Sequence, residues 1–532
     1  MKDDLRLFKF KKLSLVNFIF LSLILFLIFL AAHLIRVRYD PDPHHEGLIL
    51  TAAIAFAEGL VPHRDYFSQY GPISSVVHGL WFIVAPNNLL SLRIFNAILL
   101  AITSYFLFYI LNKKLSFKLS FFITLVWSIS SPEILPAGLP WPSVISTLLL
   151  LIVIFLSYYF GKAEKYFIAS SIGFLVGMSF FARQHNIVIP FIVICLSLIA
   201  KKNKFLIWYL FGYITSFIST LLLLTYSSAL QPFFEQSILW PLLGHAGTTY
   251  GAKVLIVNAL LTLQFPFFAI FLWFARNLLK KHHTLFTGCI ALFLITSYLF
   301  SRKIPSIPVS ERSFKNPYYL SAFVGQQFLQ VMTFGLIGVS ILVLIQRIRS
   351  SLNLTEAEIV VYSTSVGALF QLYPSVDSYH VWWIAPLLLA TLAFDSRNTI
   401  DKFIQPSLLV VFLLVNLVHN IEVSSIERDV YKSSNFLGMY GNNYLVDDAL
   451  VAIEGLIPRR SAQYDCIDGI YAANSRGYLA NHNLYVNWPN HVQDLEYQEA
   501  YFRVVCSPTQ QNLRSSDILV WSNDVIAIYK SK

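Results

Sequence analysis

Apolar residues in this chain come in long blocks. The first runs from Leu13 to Ile35, and blocks of similar length recur to about residue 420. An α-helix needs about 20 such residues to cross a bilayer. Seven of the polar stretches between blocks are basic. They are "KDDLRLFKFKK" at the start, "NKKLSFK" (112–118), "GKAEK" (161–165), "KKNK" (201–204), "ARNLLKKHH" (275–283), "QRIRS" (346–350) and "DSRNTIDK" (395–402). If all seven share one face of a membrane, each neighbouring two enclose one out-and-back pair of helices. With a last helix near 403–420, the pattern predicts about 13 spans, and the positive-inside rule places the N-terminus in the cytoplasm and the C-terminus outside. The opposite face then holds residues 36–72 or somewhat beyond, 131–142, 183–186, 228–253, 301–320, 374–380 and everything after about 421.

Beyond residue 421 the pattern changes. "ILVWSNDVIAIYK" (Ile518 to Lys530) alternates as strands do, and the region is long enough for a small α/β domain. The predicted fold class is therefore an all-α polytopic membrane protein, 1–420, followed by a C-terminal extracytoplasmic α/β domain, 421–532. Composition agrees, with 56% hydrophobic and 13% charged residues in a chain of 532. The net charge of +10 is explained by the loop clusters and needs no nucleic-acid partner. The first block is too long for a signal peptide and lacks a small-residue cleavage site, so it stays as the first span. Cys195 and Cys289 fall in apolar blocks, whereas Cys466 and Cys506 fall in the polar C-terminal region, where an oxidising compartment would let them pair. The sequon-like "NLT" (353–355) falls on the cytoplasmic face and reads as chance.

Chemistry concentrates directly after the first span, in "RVRYDPDPHHEGLILTAAIAFAEGLVPHRDYFSQYGP" (Arg36 to Pro72). Asp42 before Pro43, and Gly59 after an apolar run, read as N-cap, first helical residue and glycine stop. The helix between them, about 43–58, is too short to span and should lie along the outer membrane surface. Asp42 and Glu46 share a helix face; His44 and His45 diverge. Three readings stand side by side: helix capping by Asp42 and Asp40, a divalent-cation site (Mg, Mn or Zn) from Asp42, His45 and Glu46, and a general base at the water–membrane boundary. In "PHRDYFSQYGP" (62–72) the plain reading of Arg64 and Asp65 is a turn in which they pair or are solvated. "FARQHN" (181–186) places Arg183 and His185 at an outer helix end, and "QLYPSVDSYHVWW" (371–383) does so with Asp377, Tyr379 and His380. His245, Lys253, Arg302, Lys303, Arg312 and Lys315 are further outer-face cations, and an anionic ligand is one reason for them. No P-loop, dinucleotide fingerprint or nucleophile elbow occurs. "GFLVG" (173–177) has the small-xxx-small spacing of helix packing.

The acidic loop after the first span, the spacer to "G-x-x-P-x-R-D" (Gly59 to Asp65) and the following "GP" (Gly71-Pro72) resemble the GT-C superfamily of membrane glycosyltransferases. Within it they are most similar to the branch with protein O-mannosyltransferases, lipid A aminoarabinose transferases and bacterial relatives. The likeness extends to the layout of the whole chain; its motifs lie in 40–72, with weaker echoes at Arg183-Gln184 and Asp377 to His380. The resemblance implies a multi-pass protein of the bacterial cytoplasmic membrane that moves a sugar, with inversion, from a polyprenyl-phosphate donor to an acceptor hydroxyl on a glycan, lipid or protein. It implies a carboxylate base (Asp42, then Asp40, with Glu46 nearby) and donor-phosphate contacts from Arg64, Arg183, Arg302 and His380. For that reaction the candidate acceptor or sugar contacts are Asp65, Tyr70 and Asp377, and the loop's own residue types keep His45 and Glu46 as the candidate metal ligands. Two departures matter. His45 occupies the place of the family's usual Asp, and Tyr70-Gly71 the place where relatives often carry a Lys before the Pro.

Two other classes compete. A flippase or transporter would place ionisable residues mid-span, where these blocks have few. A surface-polysaccharide ligase or polymerase would carry its long loop late in the chain.

Overall fold

The structure is a computed structural model. It describes residues 15–35, 37, 43–130, 139–163, 166–239, 354–372 and 378–391, then 431–432, 440–441, 452, 456, 462–464, 502–506, 517–522 and 526–531. The chain is an integral membrane protein. Among the described residues, three helices are long and apolar enough to cross a bilayer, α1 (Leu15–Leu34), α4 (Leu89–Asn112) and α9 (Asn203–Tyr226). The outer face of α1 is bare apolar surface at Val16 and Phe20, while Leu25 and Phe29 pack on Ala101, Phe108 and Tyr109 of α4. The expectation of about 13 spans and the 420/421 domain boundary reach outside the described residues.

Between α1 and α4 lie two short helices, α2 (Pro43–Ala57) and α3 (Pro72–Val84). At 15 and 13 residues they reach only about 20 Å, short of the roughly 30 Å hydrocarbon core. The expected glycine stop is real. Gly59 sits at φ +89°, a left-handed conformation open to glycine at little cost. The two helices cross at Gly79, where a side chain would collide with Phe56 and the Ala53 carbonyl of α2.

The bundle continues with α5 (Phe117–Ile129), α6 (Pro142–Ala163), α7 (Tyr166–Ala182), a 3-10 turn (Gln184–Ile187) and α8 (Val188–Ile199). After α9 comes α10 (Leu230–Phe234), which widens into a π turn at Glu235–Leu239; α11 (Glu356–Ala368) and α12 (Ser378–Ala390) follow. "GFLVG" is a crossing point. A Cβ on Gly173 would come within 1.9 Å of the Tyr209 carbonyl oxygen of α9, and one on Gly212 within 1.8 Å of that of Ser170. α5 and α12 are tied by two tryptophans, Trp127 and Trp382, each donating its indole N–H to the other's carbonyl at 3.0 Å. "NLT" ends in Thr355, which caps α11 in a capping box with Glu358.

Segments that the charge pattern assigns to one face meet one another. Residues 61–70 touch 183–184 and 227–237, and Arg183 meets His380. At the other end of α9, Lys202 pairs with Glu356 at 3.1 Å. In the C-terminal part a four-stranded sheet has the order β3-β4-β6-β5, with β3 (Ala462–Tyr464), β4 (Phe502–Cys506), β5 (Asp517–Ser522) and β6 (Ile526–Ser531). β5 and β6 are the expected alternating stretch, folded as an antiparallel pair. A separate short pair joins β1 (Tyr431–Lys432) and β2 (Tyr440–Gly441).

Candidate functional site

α7 stops at Ala182 because Arg183 turns extended, φ −145° and ψ 108°, before the 3-10 turn begins. This break aims the Arg183 side chain inward, and only 3% of the residue is exposed. Its Nη2 lies 2.9 Å from His380 Nε2 on α12, and its guanidinium stands 5.1 Å from the centre of the Tyr70 ring. A guanidinium only donates, so His380 Nε2 accepts and the ring is the neutral form with its proton on Nδ1. Among the described residues no carboxylate pairs with Arg183, and its Nε has no acceptor.

The two rings that meet this cation, Tyr70 and His380, are joined by a chain of ring contacts. Tyr70 meets Trp141 edge-on at 5.0 Å, Trp141 stacks on Trp383 at 5.9 Å, and His380 stands edge-on to Trp383 at 5.4 Å. The segment bearing Tyr70 is held in place on two sides. Gln184 Nε2 donates to the Gln69 carbonyl at 3.2 Å. Gly71 lies directly on the backbone of Phe181, where a Cβ would come within 2.0 Å of the carbonyl oxygen. A narrow cleft lined by Ile49, Ala52, Phe67, Gln69, Tyr70 and Ser75 opens beside it, between α2 and α3.

The rest of the first loop is differently occupied. Glu46 is fully buried, and both its oxygens accept from Arg93 of α4, at 2.5 Å from Nε and 2.6 Å from Nη2. Arg93 also donates to the Val37 carbonyl at 3.1 Å. Glu46 was expected as a base or metal ligand. In the structure both its oxygens are engaged by the Arg93 guanidinium, the arrangement of a buried counter-ion. Arg64 and Asp65 take their plain reading. They form a bidentate pair at 2.8 Å, Arg64 is 44% exposed, and Asp65 also accepts from the Val61 N–H at 2.7 Å. Hydrogen bonding to Asp65 raises the pKa of Arg64. So Arg64, expected on the donor phosphate, has its charge met by its neighbour, and Asp65, expected on sugar or acceptor, serves that pair and the turn.

Gln236 fastens this turn to the π turn. Its Nε2 donates to the His63 carbonyl at 2.9 Å, while its Oε1 accepts from the Ser68 N–H at 3.0 Å and faces His63 Nδ1 at 3.3 Å. Burial lowers the His63 pKa from 6.5 to about 4, the Gln236 bond opposing; burial does the same to His78 of α3. Burial raises the Tyr66 phenol above its ordinary range.

Of the residues singled out in the sequence, Tyr70, Arg183 and His380 come together from three distant segments. Asp40, Asp42, Arg302, Asp377 and the side chain of His45 lie outside the described residues. Among the described residues no group of three or more His, Cys, Asp or Glu forms a metal cluster. Arg93, Trp141, Asn186 and Gln236 were not anticipated. Arg93 alone carried a signal, a single cation inside an apolar block.

No family model matches the chain, and no curated protein does. Solved structures are similar in overall course. ArnT from Cupriavidus metallidurans bound to undecaprenyl phosphate aligns over 97% of this chain and 98% of its own, at 10% identity and a TM-score of 0.44. The archaeal oligosaccharyltransferase AglB from Archaeoglobus fulgidus, in complex with an inhibitory peptide and a dolichol-phosphate, aligns over 93% of this chain and 70% of its own, at 12% identity and a TM-score of 0.45. The apo form of the Archaeoglobus fulgidus oligosaccharyltransferase aligns over 86% and 64%, at 12% identity and a TM-score of 0.44. Likenesses at this level carry no side-chain correspondence, and the chemistry rests on the residues above.

Proposed function

We propose that this protein is a membrane glycosyltransferase that takes a sugar from a polyprenyl-phosphate donor and transfers it, with inversion, to an acceptor hydroxyl on the outer face of a bacterial cytoplasmic membrane. One observation carries the reading: Arg183 is a buried guanidinium with no carboxylate beside it among the described residues. Burying a charge without a counter-charge costs several kcal/mol. A bound anion removes that cost, and a phosphate offers a guanidinium planar, multi-point acceptance. The Tyr70 ring holds the cation meanwhile, with about 0.5–2 kcal/mol of cation–π attraction.

In this reading Arg183 holds the donor phosphate and stabilises the charge that grows on it as the sugar leaves. His380 lies beside the same oxygen atoms. The base that accepts the acceptor's proton is Asp42, with Asp40 second, since both directly precede α2. Glu46 contributes by keeping α2 on α4 through Arg93.

The test uses purified protein in lipid with a panel of radiolabelled polyprenyl-phosphate sugars. Wild type should transfer or release the label. Arg183→Ala should lose donor binding, and Asp42→Asn should bind donor but not turn it over. Failure of wild type to bind or turn over any donor of the panel would end the reading.

A further inference from the structure

Beneath Arg183 lies a polar cluster that the proposed reaction does not itself use. Asn186, Ser146 of α6 and Gln371 are all fully buried. Asn186 Nδ2 donates to Ser146 Oγ at 2.7 Å and to the Ser179 carbonyl at 3.1 Å. A carbonyl can only accept, which fixes the orientation of the carboxamide. Its Oδ1 is thereby turned to Gln371, whose Nε2 donates to it at 3.1 Å.

The Ser179 carbonyl is also where the Arg183 backbone N–H ends the last turn of α7, at 2.9 Å, and the Asn186 N–H returns to the Arg183 carbonyl at 3.1 Å. Asn186 therefore holds Arg183 directly through its main chain, and through its side chain it shares the Ser179 carbonyl on which the Arg183 N–H ends. Through Gln371 it also grips the 3-10 turn Leu369–Leu372, which leads toward His380. The Asn186 carboxamide, with donor and acceptor both engaged, has one arrangement, whereas Gln371 Oε1 has no partner among the described residues. An apolar residue at 186 would take away the shorter of the two bonds that the buried Gln371 amide donates and leave only the longer one, to Ser146 Oγ at 3.4 Å.

We infer that Asn186 is the positioning residue of the anion site: its carboxamide sets Arg183 against His380, and so sets how tightly a lipid-linked phosphate is held. The inference rests on the proposed phosphate role of Arg183. Asn186 touches no substrate and acts only through that side chain.

A double-mutant cycle read by binding of undecaprenyl phosphate to protein in lipid nanodiscs tests this. Asn186→Ala should weaken binding about tenfold when Arg183 is present, the scale of a lost buried hydrogen-bond pair. In an Arg183→Ala background the same change should leave the residual binding as it was. Gln371→Leu keeps the bonds to Ser179 and Ser146, and should show a smaller loss with the same dependence on Arg183. If Asn186→Ala does not fold, this second variant decides. Equal losses in both backgrounds, or no loss in either, would make the cluster merely structural and overturn the inference alone. Wild type that does not bind undecaprenyl phosphate, or binding that Arg183→Ala leaves intact, would overturn the phosphate role and this inference with it.

Discussion

Three arginines of this chain look alike as letters and differ entirely in surroundings. Arg64 is half in solvent beside an adjacent Asp65. Arg93 is buried with Glu46, and Arg183 is buried against Tyr70 and His380. Partial exposure makes the first pair weak, because water screens it. Arg64→Ala should leave both thermal stability and lipid-phosphate binding near wild type, in contrast to Arg183→Ala; a binding loss as large as that of Arg183→Ala would place Arg64 back on the phosphate. The second pair is a different case. Removing one partner leaves a lone buried charge, so Arg93→Met should cost about 3–5 kcal/mol. Replacing both, as Arg93→Met with Glu46→Leu, should restore much of that, since the desolvation of both ions disappears together. Thermal unfolding in detergent measures both. A double variant as unstable as the sum of the singles would mean that the two residues do not act as a pair.

At the scale of elements, the first loop is a packed unit whose assembly depends on close approach. Gly71 exists to let the chain before α3 lie on the end of α7. Gly71→Ala should push Tyr70 off Arg183 and weaken undecaprenyl phosphate binding, although it alters no charged or aromatic group. Unchanged affinity in that variant would separate the loop from the cation. The same unit should loosen in acid. His63 and His78 are held neutral by burial, at about 4 instead of 6.5. As pH falls below 6.5 the unfolded chain takes up these protons first, so the stability they allow is full above about 6.5 and is lost toward 4. The protection factors of amides in residues 59–84, with the intrinsic pH dependence of exchange divided out, should therefore fall between pH 6.5 and 4, and less so in His63→Asn, a residue type that tolerates the φ of +69° found there. Much of this unit was legible from its letters: Pro43 and Gly59 bound α2, and Arg64-Asp65 is a local turn pair. Gln236, Asn186 and Trp141 were not legible, because a lone amide or indole acquires its meaning from a partner many residues away. The Arg93 partner of Glu46 was illegible for the same reason. The neighbours of Glu46 in sequence suggested a metal site, and its neighbour in space is a cation 47 residues on.

At the scale of the whole molecule, α9 works as a ruler. Its 24 residues span about 36 Å, enough to cross a bilayer. Lys202, just before it, pairs with Glu356, and Ser227, just after it, accepts from Arg64 through its carbonyl. The two ends mark opposite faces, and Arg183 with its Tyr70 ring lies with the Ser227 end through the first loop. Lys201, Lys202 and Lys204 crowd the other end, which under the positive-inside rule is the cytoplasmic one. A donor that must cross the bilayer on a lipid tail makes sense only if the site faces outward. The orientation is therefore a test of the chemistry as well as of the fold. In a background without native cysteines, Glu58→Cys and Arg64→Cys should react with a membrane-impermeant maleimide in spheroplasts. Lys201→Cys and Thr355→Cys should react only after permeabilisation. The reverse pattern would place Arg183 on the cytoplasmic side, where soluble nucleotide sugars are available, and a lipid-phosphate donor would lose its reason.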